Sequence, residues 1–381
     1  MVYFDNGSST FPKPISVINA VTEAFTQYGG NPGRSANAMC RRTAMKIHST
    51  RENIASFFGV NNPLDVIFTS NCTHATNIAL KGLLREGDHV IISDLEHNAI
   101  LRPIHTLAKR GLIRYNVAEI FTDADRTVES YRRLLCPQTR LITCTHASNV
   151  FGIRAPIEEI GAFCKKHGIL FLVDTAQTAG VLDINMPDAG IDFLCAAGHK
   201  GLYGPSGTGF LITPHSDILD TMIEGGTGSH SENYEQPREM PDYLESGTLN
   251  TVGIVGLDAG ISFLREEGCR NIYKREMTVA TKIYRTLLET EHVHLYTPDY
   301  AYGSYVPVIS FNIEGLSGQE STAKLSEMGF ALRGGLHCAP LAHKKMNTLE
   351  TGTARISVGA FNTEEDAEQL CDAIKELVRC K

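Results

Sequence analysis

Between Asp65 and Thr213 short apolar runs alternate with stretches of helical period, and nothing else in the 381 residues restricts the fold as strongly. The runs are Val66 to Thr69, Val90 to Ser93, Leu141 to Thr145, Leu170 to Asp174, Phe193 to Ala196 and Gly209 to Ile212, with helical patterns such as Thr73 to Leu84 and Ile157 to His167 between them. Strand, helix, strand at this spacing predicts an α/β protein with a large, mostly parallel sheet covered on both faces, because parallel neighbours need a long crossover, usually a helix. The start of the chain differs: two helical patterns, Ile15 to Tyr28 and Cys40 to Phe58, flank the turn-rich Gly29-Gly30-Asn31-Pro32-Gly33. After the sheet region, Glu224 to Glu245 carries little apolar content and reads as a long functional loop.

A helical region broken near Gly268 is expected across Val252 to Leu288. Beyond it Val306 to Ile313, Gly329 to Leu332 and Ala354 to Val358 alternate with helical patterns at Ser317 to Met328 and Thr363 to Val378, which predicts a smaller α+β domain. The expected division is a helical segment, 1–60, belonging to the small domain; a large domain, 61–255; and a C-terminal small domain, 256–381. A chain of this length buries a core without disulfides or metal. Its 35 Lys+Arg against 43 Asp+Glu leave a charge of -8, which argues against nucleic acid as a partner. The N-terminal residues lack the pattern of a signal peptide, and no apolar run approaches the roughly 20 residues that span a bilayer, so the cytoplasm is the expected compartment, with no membrane partner. Ten cysteines without a C-x-x-C pair predict free thiols and no metal site.

In open α/β sheets ligands sit at the carboxyl ends of strands, so the polar residues just past each run are the functional candidates. Leu170 to Val173 deliver Asp174, then Ala176 and Gln177. An acid there can face a cationic ring nitrogen or a metal, and a helix cap is the competing reading. The run ending at Cys195 leads into Gly198-His199-Lys200-Gly201, where a lysine in a partly apolar turn can form a Schiff base with an aldehyde. Cys338 follows Gly334, Gly335 and His337 in a segment without apolar periodicity, so it is expected to be accessible. A neighbouring His337 imidazolium would stabilise its thiolate, and Pro340 suits a mobile loop. Arg355 alternates with apolar residues like a strand whose one charge points into a site.

Val173-Asp174-Thr175-Ala176-Gln177, then Gly198-His199-Lys200, with Ser148-Asn149-Val150-Phe151-Gly152 upstream, resembles the class V aminotransferase superfamily, in its cysteine desulfurase and selenocysteine lyase branch. Glu96-His97, Glu245-Ser246-Gly247-Thr248 and Arg333-Gly334-Gly335-Leu336-His337-Cys338 resemble further motifs of that family in the same order. The resemblance implies a fold type I enzyme carrying pyridoxal 5'-phosphate on Lys200. In that reading Asp174 pairs with the pyridine nitrogen, His97 stacks on the ring and can carry a proton, and Gln177 and Asn149 bond the ring oxygen or the substrate. Thr73 and His74, at a helix start, hold the phosphate with His199, and Thr248 reaches the phosphate of a neighbouring subunit, which implies a homodimer. Cys338 takes sulfur from L-cysteine as a persulfide, leaving alanine, and Arg355 binds the substrate carboxylate. The persulfide then passes to a reductant or a sulfur-acceptor protein. A selenocysteine lyase, a class V aminotransferase or C-S lyase without a persulfide, and a non-catalytic relative remain the alternatives. Ala197, where relatives often have serine, Gly201 and the Asn31-Pro32-Gly33-Arg34 loop depart from the family pattern.

Overall fold

The structure, a computed structural model, describes residues 1–32, 37–297 and 300–379, so Gly33 and Arg34 of the unusual N-terminal loop lie outside the described residues. Seven strands form the large sheet in the spatial order Val66–Thr69, Gly209–Ile212, Phe193–Ala197, Leu170–Asp174, Thr139–Thr145, His89–Ser93, Arg114–Ala118. All run parallel except Gly209–Ile212, which is antiparallel to both neighbours. The exception has a local cause: no crossover helix separates Phe193–Ala197 from Gly209–Ile212, so the chain turns straight back through the Gly-rich segment that carries Lys200.

The apolar runs are continuous because the sheet is covered on both faces. Alternate residues divide between two cores: Phe171, Val173, Leu194 and Phe210 face one, and Leu172, Phe193, Cys195 and Leu211 the other. The first core continues without a break into the smaller sheet through Ile309, Phe311 and Ile356. That sheet is antiparallel, ordered Arg333–Gly335, Thr353–Ser357, Val308–Ile313, Val293–Leu295.

The predicted helix over Val252 to Leu288 is two helices, Thr251–Glu267 and Cys269–Leu288, parted at Gly268, whose φ of 78° interrupts the helical run. Glu224 to Glu245 holds no helix or strand. The Arg114–Ala118 strand escapes a reading by apolar runs because it is the sheet's outermost strand, paired on one side only and largely exposed, with a polar sequence. The N-terminus reaches the far end of the chain: Val2–Tyr3 pairs in parallel with Phe330–Ala331, and Asp5 bridges to Ser357. The helices Ile15–Gln27 and Ala38–Phe57 pack on Thr251–Glu267. Among the described residues no helix is long and apolar enough to cross a membrane.

Candidate active site

Four strands of the large sheet deliver polar residues to one edge. Glu96 and His97 follow His89–Ser93, Ser148 and Asn149 follow Thr139–Thr145, Asp174 ends its own strand, and Lys200 follows Phe193–Ala197. Asp174 is 3% exposed, accepting from the Ala176 N–H at 2.9 Å and from the Cys72 thiol at 3.3 Å. Desolvation holds the Lys200 ammonium below its usual pKa, and the Asp174 charge opposes that shift. The turn around Lys200 is fixed from the N-terminal loop: the His199 carbonyl accepts from the Thr10 N–H at 3.2 Å and from Lys13 Nζ at 2.8 Å, while Thr10 Oγ1 donates to the Lys200 carbonyl at 3.1 Å. The departure at Gly201 has a steric reason, since a Cβ there would lie 2.6 Å from the Ala179 carbonyl oxygen.

His97 caps the Asn98–Lys109 helix, its Nδ1 accepting from the Ala99 N–H at 3.0 Å, which assigns the ring proton to Nε2. Burial pushes its pKa down to about 4, so the ring is neutral at neutral pH. Glu96 is fully buried, and desolvation raises its carboxyl to about 8; Oε1 accepts from Ser93 and Thr143 hydroxyls at 3.0 Å each, and Oε2 is left without a partner among the described residues.

The helix expected to start at Thr73 is Cys72–Leu83, and its cap is Asn71, whose side chain accepts from the His74 N–H at 2.9 Å. Thr73 therefore lies inside the first turn with its hydroxyl exposed, and the Cys72 and Thr73 N–H groups there are beyond reach of any helix carbonyl. His74 is half-buried, and desolvation lowers its pKa. His199, likewise lowered to about 4 by burial, has a buried Nδ1 without a partner among the described residues. Gln177 is half-buried, its Nε2 donating to the Gly7 carbonyl at 3.0 Å. Thr248 is exposed and accepts from Asn31 at 3.3 Å. The Gly247-Thr248 turn is positioned by its buried neighbour Glu245, which grips Arg51 and the Phe68 N–H.

Cys338 is exposed, as expected, but its setting corrects two expectations. His337 is 3% exposed, its Nε2 bonded to the Thr353 carbonyl at 3.0 Å, and burial beside the Arg355 charge depresses its pKa to about 2. A ring so far below neutrality is no imidazolium, so it supplies no charge to the thiolate. Nor does Pro340 leave a loose loop, since it opens the helix Pro340–Lys345. Arg355 is 1% exposed, and its fork is already engaged: Nη2 donates to Asp5 Oδ1 at 2.6 Å and to Ser8 Oγ at 2.9 Å, and Nη1 to the Asn149 carbonyl at 2.8 Å. Its partner on the adjacent strand is Arg333, whose Nη1 also donates to Ser8. Asp5 and Ser8 were outside the sequence reading; the one signal for them is the run Asp5-Asn6-Gly7-Ser8, polar residues directly after a short apolar start.

These residues suit a phosphorylated pyridine aldehyde. A shielded amine stands near a buried carboxylate, a helix N-terminus with an exposed hydroxyl is close by in sequence to that carboxylate's thiol partner, and Asn149 Oδ1 and His199 Nδ1 are buried without a partner among the described residues. A family model described as aminotransferase class-V matches residues 2–370. A probable cysteine desulfurase of Methanothermobacter thermautotrophicus is 34% identical over 386 residues, covering 99% of this chain and 94% of that protein. A cysteine desulfurase of Haloferax volcanii is 28% identical, covering 98% and 88%. Among solved structures, the apo structure of a cysteine desulfurase from Thermococcus onnurineus superposes with a TM-score of 0.92 at 29% identity, covering 100% of this chain and 95% of that one.

Proposed function

Because the chain belongs to the class V aminotransferase family, we infer that it is a cysteine desulfurase, a fold type I enzyme that uses pyridoxal 5'-phosphate to convert L-cysteine to L-alanine and leaves the sulfur on Cys338. When bound, the cofactor supplies an electron sink for charge that develops at the substrate Cα. Everything else falls to the chain. Lys200 would hold the cofactor, and its amine, whose pKa desolvation lowers, would take the Cα proton. Asp174 would pair with the ring nitrogen, its carboxylate oriented by the Cys72 thiol and the Ala176 N–H. Neutral His97 carries a proton on Nε2 and would stack on the ring. Gln177 and Asn149 would bond the ring oxygen or substrate, and Thr73, His74 and His199 would hold the phosphate, with Thr248 serving the second subunit of a homodimer.

The sulfur step is balanced within the site. Cys338 sulfur forms a bond to the substrate sulfur, the substrate C–S bond breaks with its electron pair going to carbon, and that carbon takes a proton to give alanine. A persulfide remains on Cys338, and a cytoplasmic thiol or a sulfur-acceptor protein removes it. Arg355 receives the substrate carboxylate, sharing its guanidinium with Asp5.

The observation that carries this reading is the pairing of a shielded lysine amine at the large sheet's edge with an exposed cysteine whose loop is bonded to the helix that His97 caps. The test measures alanine and sulfide from L-cysteine, with and without reductant, for the wild type and Cys338→Ser. The variant is expected to keep the yellow chromophore and lose the persulfide with most alanine release. Undiminished alanine release would make the protein a lyase without a covalent sulfur intermediate.

A further inference from the structure

His337 and Cys338 both adopt left-handed backbone, with φ of 47° and 59°, a conformation that two consecutive residues with side chains adopt only when their surroundings impose it. Five contacts impose it here. The Cys338 carbonyl accepts from the Asn98 N–H at 2.7 Å, at the start of the helix that His97 caps. The Ala339 N–H donates to the Leu336 carbonyl at 2.9 Å and closes the turn. The His337 ring bonds the Thr353 carbonyl and stacks on His343, centroids 5.8 Å apart. The fifth comes from a distant side chain: Asn149 Nδ2 donates to the His337 carbonyl at 2.7 Å in a buried bond.

Asn149 also touches the rest of the site. Its main-chain carbonyl accepts from Arg355, and its Oδ1 is buried with no partner among the described residues. A donor arriving at Oδ1 polarises the amide and strengthens the bond that Nδ2 makes, because hydrogen bonds in series reinforce one another. We propose that Asn149 is the positioning residue of the thiol loop, an amide that holds Cys338 in its left-handed conformation and tightens that hold when the site is filled. The catalytic consequence rests on the desulfurase reading, whereas the anchoring does not.

The experiment follows amide exchange in residues 336–340 of the full-length protein, with and without pyridoxal phosphate, for the wild type, Asn149→Asp and Asn149→Ala. The Asp variant keeps an oxygen toward the site and replaces the donor that faces His337; the Ala variant removes both. Exchange in the segment is expected to rise at least roughly tenfold in both variants without cofactor, while the helix Ile157–His167 stays protected. Cofactor should slow the segment's exchange in the wild type and not in the variants. Both substitutions keep the backbone carbonyl that holds Arg355, so alanine formation should lose more in kcat than it gains in KM for cysteine. Unchanged exchange in the segment overturns the proposal. So does an equal rise throughout the chain in both variants, which would assign Asn149 to the fold in general. A wild type that releases no alanine sinks the desulfurase reading and leaves the exchange result standing.

Discussion

Lys200, Asp174 and His97 sit at strand ends of one mostly parallel sheet, whereas the Cys338 loop and Arg355 are joined through Asn149, where the N-terminal loop and the small antiparallel sheet converge. The first group is placed by the rule that parallel strands end at a common edge. The second depends on contacts between residues as far apart as Asp5 and Arg355, 350 positions in sequence. The amine end should therefore fail through its chemistry when altered, and the thiol end through its geometry.

The largest effect is expected at the amine end. Lys200→Ala should lower alanine release by about 10²–10⁴, the range for losing a general base, and abolish the borohydride-sensitive chromophore while leaving thermal unfolding almost unchanged. A variant that retained the chromophore would move cofactor attachment elsewhere. Next comes Arg355→Lys, which keeps a charge but not a fork. Loss of charge-assisted bonds, each worth about 1.5–3 kcal/mol, predicts a fall of roughly tenfold or more in kcat/KM for cysteine. Because Asp5 and Ser8 use the same guanidinium, the midpoint of thermal unfolding should fall as well. An unchanged midpoint beside a lowered kcat/KM would mean that Asp5 yields freely to substrate.

Stability should also depend on pH through Glu96. Its carboxyl is raised from 4.5 to about 8 in the folded protein, so the folded state holds a proton that the unfolded chain gives up earlier. The associated stability is full below about pH 4.5 and is lost as pH rises through about 8. Glu96→Gln should flatten that decline in urea unfolding between these values, while Glu276, raised to about 8 in the same way, retains its own share. A decline of unaltered slope in the variant would show that Glu96 is not protonated in the fold. The smallest effect expected is none: the alkylation rate of Cys338 should show no step attributable to a histidine near pH 6 to 7, because His337 is neutral down to about pH 2. A step that vanished in His337→Gln would restore the imidazolium to the thiol.

The amine end was legible because its residues follow their strands within a few positions, and a strand shows itself as a short apolar run whatever the remainder of the chain does. Leu170–Asp174 and Gly209–Ile212 have the bounds that the pattern of apolar residues sets. Arg114–Ala118 was missed for the opposite reason, since an edge strand covered on few sides needs no apolar run. At the thiol end the sequence marked Cys338 as accessible but misjudged His337. A histidine beside a cysteine in a Gly-rich segment reads as charged and solvated, and only packing under Thr353 and beside His343 and Arg355 makes it neutral. Arg355 was recognised as a charge on a strand, yet nothing local announced that Asp5 would share it.

What the sequence determined by itself is therefore the part governed by short-range rules: the period of its apolar residues, the order of its strands and helices, the turn that carries Lys200 and the acid that ends its own strand. Tertiary structure alone decided the protonation of buried groups and the partners of Asn149, Arg355 and Cys72. The physical reason is that a backbone period is set by hydrogen bonds among near neighbours, while a side chain's charge and bonding depend on how much water the whole fold removes from around it and which distant groups replace that water.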